Sequence, residues 1–138
     1  MIFVESDNQT LHITRGDATQ EKFNRLAFQF PILNLETQEE ELYEFKLDDK
    51  ISFVAVEKKG YTKEEVLRKE YTLRDLGYTD STTTPEIPLT AEDTKAFPLS
   101  NKKKTYWYDL VLNDEITILG LDDEGAKKII VYPEVEEE

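Results

Sequence analysis

Apolar residues in this chain recur every second position, and that period governs what it can fold into. Leu11 and Ile13 alternate with His12 and Thr14; Leu26, Phe28, Phe30 and Ile32 share one side; Tyr43, Phe45 and Leu47 alternate with Glu44 and Lys46. Successive side chains of a strand point to opposite faces, so such runs predict half-buried strands. The run "ISFVAV" (51–56) is apolar at nearly every position and predicts a central strand covered on both sides. "TYWYDLVL", "EITILGL" and "KIIVYPEV" add three further runs. Asn113-Asp114 and Asp122-Asp123-Glu124-Gly125 separate them, residue types that tolerate the positive φ of tight turns.

Two segments break the pattern. Thr62 with Glu65 three residues on forms a capping-box pattern that would start a helix, whereas Leu67, Lys69, Tyr71 and Leu73 would share one face of a strand. Strand is the reading for the second half. "TAEDTKAF" predicts one short helical turn capped by Thr90, after a strand "EIPL". The sum is an all-β chain, a sandwich or barrel of several short strands with one short helical turn. Its 138 residues suit one domain over 1–135, followed by an acidic tail at 136–138.

Charge narrows the partners. Thirty acidic against seventeen basic side chains leave a formal charge of −13, a field that repels phosphates and anionic membranes. Nucleic acid and membrane are therefore not expected as partners. The chain has no cysteine, which removes disulfides, thiolate zinc sites and a cysteine nucleophile. The first residues carry no signal-peptide pattern, and no run reaches the roughly 20 apolar residues of a membrane span. Synthesis in the cytoplasm is the expectation.

Arg15-Gly16-Asp17 spells a cell-adhesion tripeptide. Integrin recognition needs it on an exposed, extended loop, whereas here Arg15 continues a strand and Gly16-Asp17 supplies the turn after it. Asp48/Asp49 and Asp122/Asp123/Glu124 lack the twelve-residue alternation of a calcium loop and read as solvated turns. His12, the only histidine, reads as a surface or edge residue with no nucleophile motif to serve. In "TYWYD", period two sends Tyr106 and Tyr108 toward the core and Trp107 to the other face, where it suits a partner contact better than a lone sugar platform. No catalytic, cofactor or metal residues are expected, and no small-molecule substrate.

The order of segments carries more than any one of them. A strand ending "ITRGD", then "LDDKISFVAV", "IPLTAEDT", "YWYDLVL" and "IIVYPEV" resembles the small immunoglobulin-like domain at the N-terminus of baseplate upper proteins and related virion proteins from phages and prophages of Firmicutes. The resemblance runs from about Leu11 to Val135. It departs where Ala18 follows the tripeptide in place of Thr, where the segment from Thr62 to Pro85 is long, and where Glu138 ends the chain without a fibre region. It implies the fold, an all-β immunoglobulin-like antiparallel β-sandwich of about seven strands with one short helical turn, and a role as a non-enzymatic tail, baseplate or head-decoration protein, a virion component where the phage is active. Its partners would be other virion proteins or itself as a homo-oligomer. The short apolar segment Ile2, Phe3 and Val4 is the candidate interface, as a strand edge without protective charge, with Trp107 as a candidate anchor. Two other functions compete. An acidic mimic of nucleic acid would need an unbroken acidic face, but Lys58, Lys59, Lys63, Arg68, Lys69, Arg74 and Lys102–Lys104 interrupt it. A carbohydrate-binding module would need Trp107 exposed beside another ring.

Overall fold

A computed structural model describes residues 1–5, 9–20, 25–57, 65–119 and 127–134. Its long central strand is β7 (Lys104–Leu112), where Tyr106, Tyr108, Leu110 and Leu112 are buried and the residues between them half-buried. Around it lie β1 (Ile2–Val4), β2 (Leu11–Thr14), β5 (Lys50–Val56), β6 (Glu65–Thr72), β8 (Ile116–Leu119) and β9 (Lys127–Tyr132). They form one curled sheet of seven strands in the order β1-β2-β9-β7-β5-β6, with β8 continuing beside the far half of β7. β3 (Pro31–Asn34) and β4 (Glu39–Leu42) make a separate two-stranded sheet.

The all-β class holds, but the pairing is mixed. β2 runs parallel to β9, with Leu11 opposite Ile129, where an all-antiparallel sandwich would place an antiparallel neighbour. A parallel pair needs a long crossover, and nearly the whole chain supplies it between these two strands. β5 lies between β6 and β7 and is buried from Ile51 through Val56, as its continuous apolar run requires. Asn113 and Asp114 hold φ of 52° and 60°, the mirror-image turn that joins β7 to β8. β6 is a strand, and its Leu67, Lys69 and Tyr71 pair with Ala55, Phe53 and Ile51 on the core side. Thr62 and the turn at 122–125 lie outside the described residues, as does the tail at 136–138.

Two expected strands are extended but not laddered. Residues 26–30 and 43–47 keep the alternating burial, yet each joins its neighbour by a single bridge, Ala27 to Glu86 and Phe45 to Thr82. "EIPL" is likewise an extended crossing, not a strand. These crossings bring Leu26, Phe28, Phe45, Ile87 and Leu89 onto Ile51, Phe53, Tyr106, Tyr108 and Ile129 in one hydrophobic cluster. α1 (Ala91–Thr94) is the expected helical turn: the Thr90 hydroxyl accepts from Asp93 N, and the Asp93 carboxylate accepts from Thr90 N at 2.9 Å.

Candidate interaction surface

β1 is an outermost strand, paired only to β2. Alternation divides the three candidate residues there. Ile2 is 1% exposed and belongs to the core, and Val4 packs against it, so neither presents a side chain to a partner. Phe3 faces outward and is 43% exposed. Its ring lies flat on His12, with centroids 4.5 Å apart.

His12 is not the surface or edge residue expected: only 7% of it is exposed, and β2 has a neighbour on each side. β1 adds outside β2, and the rings of Phe3 and Tyr132 cover the imidazole from both sides. Its Nδ1 lies 2.9 Å from the Tyr132 hydroxyl and its Nε2 lies 2.5 Å from Glu5 Oε1. With both ring nitrogens engaged, the imidazole locks the edge in place. Cross-strand pairing continues the row from Phe3 and His12 to Ile130 of β9 and Thr105 of β7.

Trp107 lies on that same outer face, two residues along β7 from Thr105, opposite Val56 on one side and Lys128 on the other. Three strand spacings separate β1 from β7, about 14 Å. Phe3 and Trp107 thus mark two ends of one face, not a single contact. Trp107 is half-buried, and among the described residues no aromatic ring stacks against it. Below it, Asp109 is half-buried with Oδ1 unpartnered, and burial raises its carboxyl above the usual range. Ser52 Oγ, buried on the same face, is unpartnered too.

The Arg15-Gly16-Asp17 turn is built into the fold. Asp17 N donates to Thr14 O at 3.0 Å, closing the turn. Arg15 pairs with Glu134, and its Nε donates to Phe97 O at 2.8 Å. Gly16 N donates to Thr94 Oγ1, and that hydroxyl donates to Asp17 O at 2.7 Å. The tripeptide therefore fastens α1 to the end of β2, and its guanidinium is no free adhesion finger.

Asp49 is also no solvated turn residue. It is buried: Oδ2 accepts from the Tyr43 hydroxyl at 2.7 Å and from Lys46 N at 2.8 Å, and Oδ1 accepts from Asn113 Nδ2 at 3.0 Å. Burial alone would raise its carboxyl, but these donors outweigh it and hold the group below the usual range. Asp48 pairs with Arg74. Asp122, Asp123 and Glu124 lie outside the described residues. Among the described residues, no group of three or more His, Cys, Asp or Glu is placed to hold a metal ion.

Sequence reasoning missed the β3–β4 hairpin. Asn34 Oδ1 accepts from Glu36 N and Thr37 N, folding the turn, and Gln38 N closes it onto Asn34 O at 2.8 Å. The register puts Pro31 opposite Leu42 and Leu33 opposite Glu40, and all four are exposed. The signal was Asn34 followed by "LETQ", a turn between two short runs. At the far end of the fold Leu99 is exposed, with Lys102, Lys103 and Lys104 shortly after it.

A shallow cleft of about 440 Å³ opens where residues 25–26 meet 86–88; its lining includes Thr19, Leu26 and Tyr78, with Arg25 paired to Glu86 across it. No helix among the described residues is long and apolar enough to cross a membrane. No known protein family, curated protein or solved structure matches this chain.

Proposed function

We propose that the chain is a non-enzymatic structural or assembly module of a phage or prophage particle, in the tail, baseplate or head decoration, working through protein–protein contacts. The observation that carries this reading is the β1 edge. It is an open edge strand with no charged side chain within it and an exposed aromatic ring, where natural sheets place lysine, proline or a covering loop. Such an edge suits strand addition by a neighbouring protein. The order of segments from Leu11 to Val135 supplies the particle, by resemblance alone.

The same reading treats the fold as an immunoglobulin-like sandwich whose second layer is made of crossings. It is supported by the crossings, which bridge to one another at Ala27–Glu86 and Phe45–Thr82 and share one hydrophobic cluster with the curled sheet.

The test is incorporation. Particles induced from the host bacterium are purified and probed for tagged wild-type chain and for Phe3→Lys. The lysine stem still covers His12 while its charge blocks strand addition. The expected result is wild-type chain in the particles and Phe3→Lys excluded, with both melting alike. Wild-type chain absent from particles would end the proposal.

A further inference from the structure

We infer that this protein associates head to tail with further copies of itself, the β3–β4 hairpin of one copy seating on the Leu99–Lys104 loop of the next. This contact rests on the assembly reading and uses a second surface, distinct from the β1 edge.

The hairpin carries an apolar face with no cover. Leu33 is 57% exposed, with Leu42 diagonal to it on the same face, opposite Pro31; Leu35, 77% exposed, lies past the end of β3 in the turn. An isolated two-stranded hairpin is at best marginally stable in water, so one that displays leucines gains from a partner. Glu40 stands opposite Leu33 on that face and Glu36, Glu39, Glu41 and Glu44 lie around it, all exposed, and residues 31–45 contain no lysine or arginine. Among the described residues none of these five carboxylates pairs with a basic side chain. The partner must therefore be apolar at its centre and basic at its rim, which excludes nucleic acid and anionic lipid.

The chain itself displays such a surface. Leu99 is 72% exposed, and the basic run Lys102, Lys103 and Lys104 begins three residues after it. Lys104 pairs with Glu57 at 3.2 Å, while Lys102 and Lys103 have no carboxylate partner among the described residues. The two surfaces sit at opposite ends of the sheet. Tyr43, at the hairpin's root, bonds Asp49, and Asp49 accepts from Asn113 just past the last residue of β7. Lys104 is the first residue of β7, about 30 Å away along the strand. Placed so, the two ends of one copy are positioned to meet those of its neighbours, and the contact repeats as a ring or a filament.

The native chain has no cysteine, which permits a clean test. Leu35→Cys and Leu99→Cys chains are mixed at about 100 µM, where even a weak specific contact forms, and oxidised gently. The expected product is the disulfide between unlike chains, well above either like pair, and a ladder from the chain carrying both changes. Sedimentation supplies the second arm. Glu39→Lys with Glu40→Lys, and separately Lys102→Glu with Lys103→Glu, should each weaken self-association at least tenfold, and mixing the two reversed chains should restore association with the two kinds of chain alternating. A monomeric wild type at that concentration, or like-pair disulfides in excess, overturns the head-to-tail contact. Neither outcome touches the assembly reading, because exclusion of Phe3→Lys from particles depends on the other edge. If Phe3→Lys enters particles while the disulfide ladder still forms, the edge-strand reading fails and the head-to-tail contact stands.

Discussion

The Tyr43 hydroxyl donates to Asp49 Oδ2 at 2.7 Å, and that one bond fixes the root of the projecting hairpin to the start of β5. The same carboxylate accepts from Lys46 N and from Asn113 Nδ2, while Asn113 Oδ1 accepts from Lys50 N at 2.8 Å. Asparagine at 49 would turn an amide NH₂ toward one of these donors, and flipping Asn113 to compensate would orphan Lys50 N. Asp49→Asn should therefore cost about 1–3 kcal/mol in chemical denaturation. A loss below a few tenths would show the hub to be redundant.

Acid should unfold the protein through carboxyls that the fold holds below their ordinary range. For Asp49, burial opposes ionisation but the hydrogen bonds from Lys46 N, Asn113 and Tyr43 outweigh it; for Asp93, burial is outweighed by the Thr90 backbone N–H and by Lys69. A lowered folded pKa means the unfolded chain binds more protons, so the stabilisation is present above the unfolded value and is lost as pH falls through the folded one. Melting temperature should drop on acidification below about pH 4, and Asp49→Asn should flatten that slope.

Asp109 has the opposite sign. Burial raises its carboxyl, so the folded chain binds the proton more tightly and ionisation of this group destabilises the fold as pH rises. Asp109→Asn should raise stability at neutral pH by on the order of 1 kcal/mol, and the gain should vanish near pH 3, where aspartate is protonated in both states. Equal gain at both pH values would place the effect in packing instead of charge.

Gly16 holds φ of 91°, and a Cβ there would come within 2.8 Å of Glu134 Oε2. Gly16→Ala should cost about 1–2 kcal/mol from the left-handed backbone alone. Asp17→Glu, which defeats integrin recognition, should leave self-association and particle incorporation unchanged. Cell adhesion to the pure protein that soluble tripeptide competes away would contradict the structural role of this turn.

Most of the ladder was legible in the sequence because period two reports burial directly: β5, β7 and β9 stand where their apolar runs stand, and Thr90 caps α1 as its spacing requires. Period two does not report hydrogen-bond partners. Leu26–Phe30 and Tyr43–Leu47 alternate in burial like strands, yet their backbones cross the sheet and meet neighbours by single bridges. His12 was hidden for a related reason: whether β2 is an edge depends on whether β1 joins it, a pairing made by chain segments and not by His12. Asp49 looked like an exposed turn residue because its donors, Tyr43 and Asn113, come from separate parts of the chain.

The parallel pair of β2 with β9 has a consequence for the order of events in folding. Leu11 cannot meet Ile129 until β9 has been synthesised, and β5 waits for β7 across the whole of the intervening segment. Long-range pairings of this kind exact their loop-closure entropy before any contact compensates, which places folding in the millisecond-to-second range. A nascent chain on the ribosome holds "ISFVAV" with only β6 to pair with, and β2 with only β1, each still lacking its other neighbour. Synthesis is therefore the stage at which this protein most needs protection from aggregation.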